Sequence, residues 1–294
     1  MNRWVLLVVM ILASGAARAV EEPGRQAMSF TYNRNQSGIA GVDRYVWQVL
    51  DLALQRTRGE YGDYRLDSVM SMPTDRRVYA LAHGLEGVTV CLFTDNPDRE
   101  KLLVPVRIPV DRGLLGYRVL LIPAEQQARF AAVSSLADLA SVRFGLLPWW
   151  DDATVMRRAG FEVVPGDNYK GLFQMLAARR FDALSRGARE VLPEYDLLKS
   201  AMPDLVVERH LALHYPMPTY FWFRDDDAGR RRAARVKAGL QRMVADGTLK
   251  RLFDQEYGSA LAQLDLAHRL ILELPNPLLD GAEIPRDPEF WFRP

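Results

Sequence analysis

Apolar positions along the chain repeat with two different spacings, and the spacing changes many times between the two ends. Residues 28–32 read as a strand. From residue 41 to 58, Val42, Tyr45, Val46, Val49, Leu50, Ala53 and Leu54 recur at helical intervals, which predicts an amphipathic helix with one buried face. Thr74 can cap a second helix running to about His83, and Gly84 can end it. Residues 88–93, VTVCLF, form a buried-strand pattern, and after a polar turn another apolar run ends in Val119, Leu120, Leu121 and Ile122. Beyond it come a strand at 143–147, a helix at 153–159 closed by Gly160, a strand at 162–164 and a helix at 169–179. A short strand at Ala183 and Leu184 and a segment at 205–215 follow. Strands alternating with helices in this way predict parallel βα units. Pro275, Pro277, Pro285, Pro288 and Pro294 keep the last residues out of regular structure, so an extended strap is expected there.

Composition narrows the class of protein. The chain has 294 residues, 49% hydrophobic and 26% charged, which is ordinary for a globular protein. A net charge of +1 gives no argument for nucleic acid or an anionic membrane surface as partner. The run Arg230, Arg231, Arg232, Arg235 and Lys237 reads as a solvated helix face, offset by Asp225, Asp226 and Asp227 at the helix start. Residues 1–19 carry Arg3, an apolar run from Trp4 to Ala13 and then Ala17-Arg18-Ala19, the layout of a cleavable secretory signal. Cleavage after Ala19 would leave about 275 residues, enough for two modest α/β lobes. The apolar run is short for a membrane span, and no Cys stands at the cleavage site to carry a lipid. Cys91 is the single cysteine and lies in a strand pattern, so an inert core thiol and no intramolecular disulfide are expected. The expected location is the periplasm, without a lipid anchor.

Asn96-Pro97-Asp98 is a helix-start signature: Asn can cap free N–H groups, Pro suits the first helical position, and Asp complements the positive end. Arg99 follows at once, where a guanidinium beside unsatisfied donors is matched to a carboxylate. The segment Thr94-Asp95-Asn96-Pro97-Asp98-Arg99-Glu100-Lys101 resembles the Ser/Thr-x-Thr-x-x-Arg-x-Lys segment of the amino-acid-type extracellular solute-binding proteins. Ser134-Ser135-Leu136-Ala137-Asp138-Leu139, followed by Val142-Arg143-Phe144-Gly145-Leu146, is similar to that family's entry into its second lobe. Leu176 to Ala183 resembles its L-x-x-G-x-x-D-A element, and Met243 to Leu249 its late helix with an Asp-Gly-Thr break.

The resemblance implies an α/β, two-lobed type II periplasmic-binding architecture, each lobe a mainly parallel sheet flanked by helices. Lobe I would take residues 20–118, lobe II 119–216, and the return crossing, the rest of lobe I and the strap on it 217–294. The crossing segments would be 113–119 and 217–223. It also implies site residues. Arg99 would hold a ligand carboxylate, and Tyr32 would form an aromatic wall, although a core tyrosine fits as well. Thr94 could bond the ligand through its hydroxyl, or cap locally.

The loop Pro148-Trp149-Trp150-Asp151-Asp152 replaces the turn with which amino-acid binders hold the second carboxylate oxygen. Asp151 reads as a helix N-cap there, while Trp149 and Trp150 suit either stacking on a ligand or packing under the loop. The family's Asp for the α-amino group falls on Gly187. Arg186 and Glu190 stand nearby, as a surface pair or as ligand contacts, with Glu194 on the same helical face as Glu190. The carboxylate half of the family site is kept and the ammonium half is lost.

Other chemistry is sparse. His210 and His214 lie in a strand-like alternation that would set them ~13 Å apart, too far for one zinc. There is no Gly-x-Ser-x-Gly elbow, phosphate loop or dinucleotide fingerprint. The expectation is a monomeric receptor without cofactor or metal that captures a small carboxylate-bearing solute for an ABC-type transporter permease. A sensory version would feed a membrane signalling receptor instead. A third reading is an enzyme like the cyclohexadienyl dehydratases, with Glu190 or Asp151 as a general acid of raised pKa.

Overall fold

The computed structural model describes residues 27–34 and 43–294. The expected export signal at 1–19 lies outside the described residues, as do Gly41 and Val42 of the first predicted helix. Among the described residues no helix is long and apolar enough to cross a membrane.

The first half builds one sheet layer, made of a two-stranded and a three-stranded sheet, with its helices. β1 (Met28–Asn33) is followed by α1 (Arg44–Gln55), a single turn α2 (Arg58–Tyr61) and β2 (Tyr64–Val69), which pairs parallel with β1. α1 buries Tyr45, Val46, Val49, Leu50, Ala53 and Leu54, the stripe its spacing predicts. α3 (Thr74–His83) ends where Gly84 turns left-handed, with φ of 66°. β3 (Cys91–Thr94), the turn α4 (Pro97–Glu100) and β4 (Leu103–Val106) follow. Thr89 and Val90 donate to the Thr31 carbonyl at 2.9 and 3.2 Å, which joins the β1–β2 pair to the strands around β3.

β5 (Tyr117–Pro123) opens a second sheet. Then come α5 (Gln127–Ala131), β6 (Arg143–Leu146), α6 (Asp151–Arg158), β7 (Glu162–Pro165), α7 (Tyr169–Ala177), β8 (Ala183–Gly187), α8 (Val191–Leu198), β9 (Leu205–Val207) and β10 (Leu211–His214). β11 (Thr219–Arg224) returns to the first sheet between β3 and β4. α9 (Asp227–Ala245) and α10 (Thr248–Leu264) pack beside α1. Gly239 lets α9 approach closely, because a Cβ there would stand 2.2 Å from the Ala53 carbonyl oxygen.

The βα units are parallel as expected, in β1–β2 and in β8–β6–β7. β5 runs antiparallel to β8, and β11 antiparallel to β3 and β4, since each enters its sheet from the opposite half of the molecule. Asp111 ties the two crossings together. It is fully buried and accepts from Thr219 Oγ1 at 2.8 Å and from the Gly113 and Leu115 N–H groups at 3.3 Å. The largest buried cluster runs on from one sheet to the other through Val110, Leu114, Tyr117 and Ala188.

Two expectations need correction. The strap is not confined to the first half: β12 (Leu270–Glu273) pairs parallel with β10 in the second sheet. The tail then lies on the crossings, with Trp291 against Gly113, Phe292 N–H on the Arg112 carbonyl at 2.7 Å, and Asn276 on the Pro216 carbonyl at 2.8 Å. Two short 3-10 turns, Pro277–Leu279 and Pro288–Phe290, interrupt it, because proline suits the first position of such a turn. The Arg-rich face of α9 is only partly solvated. Arg230 and Arg231 are exposed, but Arg235 is fully buried and donates to Thr57 Oγ1 and the carbonyls of Leu54, Gly62 and Asp63. A guanidinium whose three nitrogens all donate tolerates burial.

Candidate functional site

A cleft between the two sheets collects the ends of β3 and β8, the loop after β6 and the start of α3. Its lining holds Arg77, Arg99, Arg118, Arg186 and Arg189 together with Asp43, Asp151, Asp152, Glu190 and Glu194, set among Trp47, Phe93, Trp149, Trp150 and Tyr169.

Asn96 caps α4 by accepting from the Asp98 N–H at 2.9 Å, which fixes the turn that carries Arg99. The Arg99 guanidinium donates from Nη1 to the Thr94 carbonyl at 3.0 Å and to Thr94 Oγ1 at 2.9 Å, and it lies over the Phe93 ring. Its fork then closes on Asp151 at the start of α6, Nη1 to Oδ2 at 2.6 Å and Nη2 to Oδ1 at 3.1 Å. Thr94 Oγ1 donates to the same carboxylate, and so does Asn96 Nδ2 at 3.1 Å. The N-cap expectation for Asp151 is thus corrected. Trp150 takes the cap position with extended backbone, no side chain caps the helix, and Asp151 is its first residue. The two-pronged fork to Arg99, joined by Thr94 and Asn96, engages both carboxylate oxygens instead.

Arg186 and Glu190 are no surface pair. Arg186 is buried and forks onto Glu194, Nε to Oε2 and Nη2 to Oε1 both at 2.6 Å, with Glu190 Oε2 at 3.0 Å from Nη2. The guanidinium lies over Trp150 at 4.8 Å and Tyr169 at 5.6 Å, and Tyr169 donates to Glu194 at 2.6 Å. Burial works to raise the pKa of Glu190, but Arg186, Arg189 and Arg118 overcome it and hold the carboxyl below its ordinary range. That is the reverse of the raised value considered for a general acid. Burial raises the pKa of Glu194 in spite of Arg186.

Thr94, Arg99, Trp149, Trp150, Asp151, Arg186 and Glu190 all line the cleft. Tyr32 is not among the lining residues: it stacks on Trp47 at 3.9 Å, and Trp47 forms the wall. Trp47, Arg77, Asn96, Arg118, Arg189 and Glu194 were not singled out as ligand contacts by the sequence. Arg118 alone left a clear sign, a charge inside the otherwise apolar run of β5. It is buried and holds Asp152 at 3.2 Å, which also accepts from the Tyr215 hydroxyl. His214 pairs with Glu273 and stacks on Tyr117, while His210 Nε2 meets the Val133 carbonyl at 2.8 Å.

No family model matches the sequence, and no curated protein matches it. Solved structures do. An ancestral arginine-binding protein bound to arginine matches with a TM-score of 0.57 at 17% identity, covering 79% of this chain and 99% of that one. An amino-acid ABC transporter substrate-binding protein from Streptococcus pneumoniae, bound to L-arginine, gives 0.56 at 15%, covering 79% and 96%. The GluR0 ligand-binding core in complex with L-glutamate gives 0.56 at 12%, covering 78% and 97%. Likeness at such identities speaks to fold, and the chain has the two-lobed type II periplasmic-binding fold.

Proposed function

We propose that the protein is a periplasmic solute-binding receptor, exported through residues 1–19, that closes two lobes around a small carboxylate-bearing solute and presents it to an ABC-type transporter. Lobe II runs over about 119–216 and lobe I is made from both flanking parts. The observation that carries this reading is the Arg99–Asp151 fork. Arg99, Thr94 and Asn96 of lobe I already grip a carboxylate in two-pronged geometry, so the lobe I half of the cleft is shaped for that group. Asp151 comes from the facing lobe, so a solute carboxylate would take its place. A receptor of this kind works by shifting an open–closed equilibrium. The named ligands of the similar structures, arginine and glutamate, carry such a carboxylate. The test is native mass spectrometry of the exported protein followed by solution scattering. A retained carboxylate solute whose removal expands the molecule supports the reading, and a retained solute without an acidic group overturns its carboxylate part. Turnover of the bound compound would favour an enzyme on the same scaffold, although the depressed Glu190 pKa argues against Glu190 as its acid.

A further inference from the structure

Among the described residues, the buried side-chain N–H groups that meet no acceptor are Nε1 of Trp47, Nε of Arg77, Nε1 of Trp149, and Nε and Nη1 of Arg189. All four residues line the same cleft. Arg189 is 8% exposed, and its Nη1 stands 3.4 Å from Asp111 Oδ2, an ion-pair distance without hydrogen-bond alignment. Arg77 uses Nη2 on Thr74 Oγ1 at 3.0 Å. Arg77 lies over the Phe93 ring at 5.0 Å, the ring that also carries Arg99 at 5.2 Å.

The acceptors of the cleft are in the opposite condition. Asp151 is taken by Arg99, Thr94 and Asn96, and Asp152 by Tyr215 and Arg118. Glu190 and Glu194 are taken by Arg186, and Asp43 has a partner of its own. Buried donors left unpaired cost stability, and folds keep few of them. Here the unmet capacity is all on the donor side, and no lining carboxylate is left over for an ammonium group.

We propose that the cleft contains a second oxyanion subsite, built by Arg189, Arg77, Trp47 and Trp149, so that the ligand is a small dicarboxylate held at Arg99 by one end and at Arg189 by the other. This rests on the receptor reading above and adds the class of solute. Two guanidiniums and two indole N–H groups suit the several lone pairs of a carboxylate, which accepts and never donates when ionised.

The test is calorimetric titration of the full mature chain with succinate, glutarate and phthalate. Each is set against its one-carboxylate counterpart, butyrate, valerate and benzoate, with L-glutamate and L-arginine as amino-acid arms. At least one dicarboxylate should bind about thirtyfold or more tighter than its counterpart, the effect of a desolvated charge pair. Arg189→Ala should remove that preference. Because Arg189 also faces the buried Asp111, Trp149→Phe serves as the second variant. It deletes an N–H that has no partner in the free protein, so the unliganded melt should hold while dicarboxylate affinity falls several-fold. The subsite is overturned if no dicarboxylate exceeds its counterpart, if the preference survives both substitutions, or if an amino acid binds best. A monocarboxylate or amino acid that binds and compacts the molecule would remove the second subsite and leave the receptor reading standing.

Discussion

Arg99 and Asp151 face each other across the cleft in a two-pronged ion pair, with Nη1 2.6 Å from Oδ2 and Nη2 3.1 Å from Oδ1. Each side chain is 10% exposed, so truncating either one strands the other charge away from water. On the receptor reading the pair is a latch that competes with the solute for the same guanidinium. Apparent affinity is then reduced by the fraction of molecules in which the latch is open.

Asp151→Ala should release the latch. Without ligand the variant should scatter as a more expanded particle than the wild type, and it should bind its carboxylate solute about tenfold tighter, the equivalent of ~1.4 kcal/mol. Unchanged scattering together with unchanged affinity would show that Asp151 does not compete for Arg99.

Arg99→Ala opens the same latch and should act on binding with the opposite sign. Loss of one member of a desolvated charge pair costs ~2–5 kcal/mol, or roughly 30-fold to several thousandfold in affinity. Arg99→Lys should recover part of this, since an ammonium cannot form the planar fork. The check is calorimetric titration with a thermal melt of each unliganded variant. Normal binding by Arg99→Ala would make Arg99 a structural residue.

Local signals were legible in the sequence where neighbours along the chain decide the outcome. The stripe on α1, the Gly84 stop of α3 and the Asn96 cap of α4 all depend on residues within a few positions. Asp151 shows where such reasoning ends. A carboxylate at a helix start reads as a cap, but the Arg99 guanidinium of α4, from across the cleft, takes it from the local N–H groups. Arg235 is a similar case, since a charge run reads as surface until carbonyls from the α1–β2 connection are seen to meet its donors. Arg77 and Arg189 reach the same cleft through tertiary folding alone, with no shared motif to announce it. The register of β12 on β10 was hidden for the same reason, being a pairing between distant segments.

Glu194 is 1% exposed and Arg186 6%, and they form the most deeply buried fork in the cleft. Glu194→Ala should destabilise the protein by about 3 kcal/mol, the lower end for a broken buried pair, because Glu190 remains beside Arg186. That corresponds to a melting temperature lower by roughly 6–12 °C. Denaturant unfolding should show the same loss in the midpoint. A shift under about 2 °C would mean that Glu190 alone satisfies Arg186.

Asp95 lies between Thr94 and Asn96, the two side chains that assist Arg99, and its own side chain is fully buried. Burial pushes its pKa up to about 6 against the pull of Arg107, whose Nη1 donates to Oδ2 at 2.8 Å, while Oδ1 has no partner. The unfolded value is near 3.8, so the folded state holds the proton more tightly. The stabilising contribution is therefore full below about 3.8 and is lost as pH rises through about 6. Asp95→Asn keeps a neutral group in place and should flatten this window. At pH 7.5 the variant should be more stable than the wild type by about 1 kcal/mol, a melting shift of about 2–4 °C, and the difference should vanish near pH 4. Melts at both pH values decide the matter. A variant less stable than the wild type at pH 7.5 would mean that the ion pair with Arg107 outweighs the cost of burial, and that Asp95 is ionised well below pH 6.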